Sequence, residues 1–312
     1  MAADDLTVGQ KVPNMTGPEA VGATTSAIAQ DSFQYQLLLL DLDNPDFAFD
    51  PGVTRKATAR LREKLNTLAT LVQREWPGVR LNINAAWDPA DTHSSNSMHH
   101  EGRAADLGTS DKDKKHKYGR LGRLAVSAGL DFVFYEDENH IHAAVAKDVL
   151  TVGQRVPNQS WDTAVGVPTH SIALNSADYR KLVTNNNNKI VFRDGQNRDL
   201  PRVLGKDLSD ALDVLANLVA EEWTGVNLRV LVGWSQQTTP PTLYNEGRAA
   251  IIATSDVDPA KLGRLAYFAS LAPFDWVFYE SDRHVVVAMA SQAADDGPVS
   301  ESSGPGPIGG PR

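Results

Sequence analysis

SMHHEGRAADLGTSD at residues 97–111 returns as TLYNEGRAAIIATSD at residues 242–256. In both, a Glu-Gly-Arg turn is followed by a run of small and apolar residues, and the register between them is about 145 residues. Working outward, LTVGQKVPN at 6–14 returns as LTVGQRVPN at 150–158, and FVFYE at 132–136 returns as WVFYE at 276–280. One fold is therefore present twice. Each copy is of ordinary single-domain size, which sets the pair apart from a solenoid of small interdependent repeats. The expected organisation is one domain over residues 1–148, a second over 149–290, and a tail over 291–312. The tail is so rich in Gly, Pro and Ser that it is expected to be disordered.

Composition narrows the function classes. Of 312 residues, 41% are hydrophobic and 22% charged, as in a soluble globular protein. The net charge of −9 argues against a nucleic-acid partner, because phosphate contacts require concentrated Lys and Arg. With no cysteine, there are no disulfides, no thiolate metal ligands and no cysteine nucleophile. The opening MAADDLTVGQ lacks the basic region and apolar run of a secretory signal. The leucine-rich stretch at 36–42 is too short to span a bilayer and reads as a buried strand or core segment. A soluble chain without membrane insertion is expected, with its compartment unassigned.

Leu61, Leu65, Leu68 and Leu71 or Val72 recur at spacings of three and four, predicting a helix over 56–75 that Trp76-Pro77-Gly78 ends. Alternation over 79–85 predicts a strand. A buried strand over 103–109, a second helix over 118–128 and a hairpin from 132–136 and 140–145 complete the unit. The second copy repeats the outline, beginning with a helix over 208–223 and a strand over 226–232. The fold class is α+β, each domain a mostly antiparallel or mixed sheet packed with two main helices.

Some polar positions occur in one copy only. His99, Asp106 and His142 are matched by Tyr244, Ile251 and Val286, while the flanking scaffold is kept. His99 and Asp106 flank the Glu-Gly-Arg turn, so the loop can fold back beside the strand. His140 and His142, two apart on a strand, point to one face and offer a third ligand. Two imidazoles and a carboxylate with one position left to water describe a catalytic-type zinc site. Glu136, across the same hairpin, is the natural base. Singly, Asp106 is equally well read as a partner of Arg103, and His140 as a satisfied histidine. Their joint loss in the second copy favours a shared ligand set. No HExxH helix, nucleophile elbow or P-loop is present.

VPN at 12–14, NPD at 44–46, KLNTLA at 64–69, WPGVRL at 76–81, AWD at 86–88, SMHHEGRAADLGTSD at 97–111, KYGRLGRLAVSAGLDFVFYE at 117–136 and HIHAAV at 140–145 run in order along the first copy. Together they resemble the amino-terminal signalling domain of Hedgehog proteins. That family shares its fold with zinc D-alanyl-D-alanine peptidases, whose SxHxxGxAxD pattern stands here as Ser97, His99, Gly102, Ala104 and Asp106. The resemblance implies one zinc per chain on His99, Asp106 and His142, with Glu136 as base and His93 and His140 lining the site. It also implies a second domain that keeps Glu280 and His284 without ligands, a pseudoenzyme suited to packing or partner binding. Hedgehog domains hold a calcium cluster of acids as well. Here the loop that would supply half of them is shortened to DPGVTRK, and Ala85 and Ala90 replace two more, leaving Asp88 and Asp91. Hard-cation sites need six or more oxygen ligands, so calcium is not expected. Two functions follow: a zinc metallopeptidase or amidase acting on a peptide substrate, or a noncatalytic zinc-stabilised signalling or protein-binding module.

Overall fold

The computed structural model describes residues 5–89, 93–111, 116–194, 199–236 and 241–291. The predicted tail, apart from Ser291, lies outside the described residues, as do Ala90 and Asp91. In the first copy the strands are β1 (Lys11–Val12), β2 (Leu39–Asp41), β3 (Phe47–Phe49), β4 (Lys56–Thr58), β5 (Leu81–Ala85), β6 (Ala104–Thr109), β7 (Phe132–Asp137) and β8 (His140–Ala144). The helices are α1 (Gly17–Val21), α2 (Phe33–Leu38), α3 (Ala59–Glu75) and α4 (Tyr118–Ser127). The second copy continues with β9 (Arg155–Val156), β10 (Val183–Thr184), β11 (Ile190–Phe192), β12 (Asp199–Leu200), β13 (Val203–Leu204), β14 (Leu228–Val232), β15 (Trp234–Ser235), β16 (Ala249–Thr254), β17 (Trp276–Ser281) and β18 (His284–Ala288). Its helices are α5 (Trp161–Val165), α6 (Lys206–Glu222) and α7 (Leu262–Leu271).

Each copy is built on a six-stranded sheet of the same connectivity. The first runs β1-β7-β8-β6-β5-β3 and the second β9-β17-β18-β16-β14-β11. Within each, only the edge pair, β3 with β5 and β11 with β14, is parallel. The fold is thus α+β with mixed sheets. Two long helices cover each sheet, since α3 buries Leu61, Leu65, Leu68, Ala69 and Val72 at helical spacing. It starts at Ala59 and not at 56, because Lys56–Thr58 pairs as a strand with Leu39–Asp41.

The leucine-rich stretch is core, as expected, with Leu38, Leu39 and Leu42 buried, but only part of it is strand. Phe33–Leu38 is helical and only Leu39–Asp41 is strand. Ser32 caps the helix by accepting the Tyr35 N–H at 3.0 Å. The carboxylate of Glu221, from the second copy, accepts the Phe33 and Gln34 N–H groups at 3.1 and 2.9 Å. That anion satisfies two of the orphan donors at the helix start.

Contacts across the short 146–150 junction are extensive. The second core takes in Ile28, Leu38, Leu39 and Trp87 of the first copy beside Leu212, Leu215 and Leu218 of α6. Lys147 Nζ lies 2.8 Å from both Glu101 Oε1 and Glu222 Oε1, and Gln34 Nε2 donates to Glu222 Oε2 at 3.1 Å. At the matching place on the second copy, a cleft of about 330 Å³ opens among the described residues His170, Leu182, Gly205, Arg248 and Met289.

Candidate metal centre

The Glu-Gly-Arg turn that opens both repeats is structural. Arg103 donates to Glu101 Oε2 from Nε at 2.7 Å and to the Val21 and Val145 carbonyls at 3.0 Å each. In the second copy Arg248 donates to Glu246 Oε2 at 2.8 Å and to the Val165 and Met289 carbonyls at 2.8 and 3.0 Å. Arg103 therefore pairs with Glu101, and Asp106 is left for other partners. Gly102 is left-handed at φ +64°, and a Cβ there would sit 2.4 Å from Leu39 Cδ2. Only glycine lets the turn reverse so close to β2.

His99 sits on a single 3-10 turn, Met98–Glu101, immediately before that glycine. Asp106 and His142 face each other as direct partners across β6 and β8. Folding the turn back over the strand brings His99 Nε2 to 3.3 Å and His142 Nδ1 to 2.9 Å from Asp106 Oδ1. The ligand atoms of the three all lie within 4.8 Å of one another, and the trio is the one such ligand group found among the described residues. Zinc–nitrogen and zinc–oxygen bonds of about 2.0–2.2 Å place tetrahedral ligand atoms about 3.3–3.6 Å apart, the size of the His99 Nε2–Asp106 Oδ1 separation.

Tautomer geometry supports the same use. His99 Nδ1 donates to the Ala86 carbonyl at 2.8 Å, which leaves Nε2 as the lone-pair nitrogen. That atom is fully buried and makes no hydrogen bond. A buried acceptor without a partner is costly, and a cation there would satisfy it. Burial pushes the Asp106 carboxyl up, but the hydrogen bond from His142 and then the nearness of His99 outweigh it and hold the group well below the usual carboxylate range. Burial likewise pulls His99 down, and Asp106 more than offsets this and raises it. A carboxylate that draws a proton onto His99 will draw a metal cation in its place. The residues fit zinc.

The other predicted residues surround the trio. The His93 ring stacks on His99 with centroids 4.5 Å apart, and its Nε2 lies 3.2 Å from Asp88 Oδ2. Burial, followed by the nearby His99, lowers the His93 pKa. His140 Nε2 is 3.9 Å from Asp106 Oδ1 and 3.2 Å from Glu136 Oε2. Glu136 itself lies where the β7–β8 register shifts between Phe134 and Asp137, with its side chain half exposed. His100 points elsewhere: its ring nitrogens face the Asp88 and Ser94 carbonyls at 3.1 and 2.9 Å. What the spacing did not reveal is the tie from this turn to the second copy through Glu101 and Lys147.

In the second copy Ile251 faces Val286 at the register of Asp106 and His142, and Tyr244 takes the place of His99. The Glu280–His284 contact persists without ligands beside it.

Comparison with known proteins agrees with this duplicated outline. The Hedgehog amino-terminal signalling domain matches residues 2–144 and again 147–288. The chain is 43% identical over 133 residues to the Indian hedgehog protein of Gallus gallus, covering 41% of this chain and 32% of that protein. It is 42% identical over 146 residues to the Sonic hedgehog protein of Danio rerio, covering 45% and 34%. With the Indian hedgehog protein of Xenopus laevis it shares 35% identity over 182 residues, 56% and 44% of the two chains. The match spans roughly a third to under half the length of these relatives. No helix among the described residues is long and apolar enough to cross a membrane. The chain belongs to the Hedgehog amino-terminal signalling domain family and carries that domain twice in tandem.

Proposed function

We propose that the first copy, taken as residues 1–148, binds one zinc through His99, Asp106 and His142 and hydrolyses an amide bond in a peptide substrate. The observation that carries this reading is the buried, partnerless Nε2 of His99 facing Asp106 and His142. Bound zinc supplies Lewis acidity and a water of lowered pKa. Glu136, hydrogen-bonded to His140, takes the proton of the attacking water and returns it to the leaving amine. His93 and His140 flank the trio and offer ring N–H donors where negative charge develops on the carbonyl oxygen. The second copy, residues 149–290, lacks the ligands and serves as a packing and binding partner.

Zinc content and turnover on D-alanyl and acyl peptides test this together. Glu136→Gln is expected to keep one zinc per chain and lose turnover; full turnover in that variant refutes the assignment of the base.

A second reading is a noncatalytic, zinc-stabilised module for cell-cell signalling that binds a protein partner. The burial of His99 and its anchoring to the second copy through Glu101 favour it. On this reading zinc removal lowers the melting temperature while every peptide substrate stays intact.

A further inference from the structure

Loss of the ligands in the second copy did not close its cleft. A chamber of about 620 Å³ occupies that position, within the usual size range of small-molecule sites. Trp161, Leu243, Tyr244, Trp276, Phe278 and Val286 line it. Two of these, Tyr244 and Val286, stand where His99 and His142 stand in the first copy. Trp276 and Phe278 lie with ring centroids 5.6 Å apart, tilted 39° to one another, and form an aromatic wall, and Trp276 is held by its Nε1 donating to the Gln159 carbonyl at 3.0 Å. An apolar chamber of this size favours a flat hydrophobic occupant.

Its polar groups are few and differ in their engagement. Arg155 borders the chamber with its guanidinium 4.4 Å above the Phe278 ring, and that guanidinium has no hydrogen bond or ion pair among the described residues. The Tyr244 hydroxyl likewise has no hydrogen-bond partner among them. Glu280 is engaged by His284, so the unengaged charge at the rim is the guanidinium. A planar fork of donors over an aromatic face is suited to a carboxylate.

We propose that this chamber binds a small carboxylate with a flat apolar body, the body lying against Trp276, Phe278 and Val286 and the carboxylate on Arg155. The Tyr244 hydroxyl adds one hydrogen bond inside. The site is independent of zinc and of the reading given to the first copy.

Titration calorimetry of the full chain with 2-naphthoate and with the neutral 2-naphthalenemethanol tests it. One naphthoate per chain is expected, bound more tightly than the alcohol. Arg155→Gln should weaken naphthoate about tenfold and erase the preference, as loss of one charge-assisted contact predicts. Val286→Trp should abolish binding by filling the chamber, and Val286→Phe serves where the larger residue prevents folding. No binding of naphthoate at millimolar concentration overturns the proposal. So does equal affinity for acid and alcohol, or affinity unchanged by both filling variants. Binding lost on chelation or in His99→Ala would place the ligand in the first copy and refute the site.

Discussion

Lys147 Nζ and Glu222 Oε1 stand 2.8 Å apart across the junction of the two copies, with only 16% and 4% of their side chains exposed. The same lysine reaches Glu101, two residues after His99. The turn that carries His99 in one copy is thus buttressed by a helix of the other.

Glu222→Ala is expected to destabilise the chain by about 1–3 kcal/mol: Lys147 keeps Glu101, but Gln34 Nε2 and Arg264 lose Glu222 as a buried partner. Urea unfolding measures this directly. An unchanged midpoint would mean the ion pair contributes nothing net.

Metal removal should act on the first copy alone. Zinc that binds only the folded state stabilises it by about 4 kcal/mol at a thousandfold excess over Kd. Dialysis against a chelator is expected to lower the melting temperature, and His142→Ala to abolish that dependence, while Val286→Ala leaves it intact. Equal chelator sensitivity in wild type and His142→Ala would exclude the trio as the ligand set.

Acid should loosen the second copy through Glu246. Burial raises its carboxyl, but the Thr169 N–H and Arg248 outweigh that and lower it from 4.5. The unfolded chain therefore binds more protons in this window, and stability rises with pH. The contribution is fully present above about 4.5 and lost as pH falls through the folded value. Glu246→Gln should flatten the acid limb of a stability–pH curve. A limb of undiminished slope would show that other carboxylates dominate.

Gly102→Ala combines a left-handed φ of +64° with a methyl 2.4 Å from Leu39 Cδ2. The two penalties amount to about 2–4 kcal/mol together. Because His99 rides on this turn, weaker zinc binding should accompany the lower melting temperature. A variant with wild-type stability and zinc content would show that the turn relaxes freely.

Much of this architecture was legible in the sequence. The two long helices and the hairpin declare themselves by periodicity, and copies 145 residues apart separate scaffold from chemistry, since Glu-Gly-Arg repeats while His99, Asp106 and His142 do not. The stretch containing α2 was not legible, because consecutive leucines carry no period and its first amides are satisfied by Glu221, 188 residues away. Spacing let Arg103 be read as the partner of Asp106, and only the fold shows that it turns back to Glu101. The Lys147 tie depends on how two domains dock, which no local pattern encodes. The chamber beside Tyr244 is likewise a matter of side-chain volume across five segments.

The open cleft on the second copy and the covered face on the first have a consequence for how the chain meets others. A short tether holds α6 beside the first copy at a local concentration on the order of millimolar, whatever the dilution of the protein. A free partner seeking that face competes against the chain itself, whereas on the second copy no described residue of the chain fills the matching cleft. Duplication has made a polar object of two similar units, with one face answered internally and its twin open among the described residues.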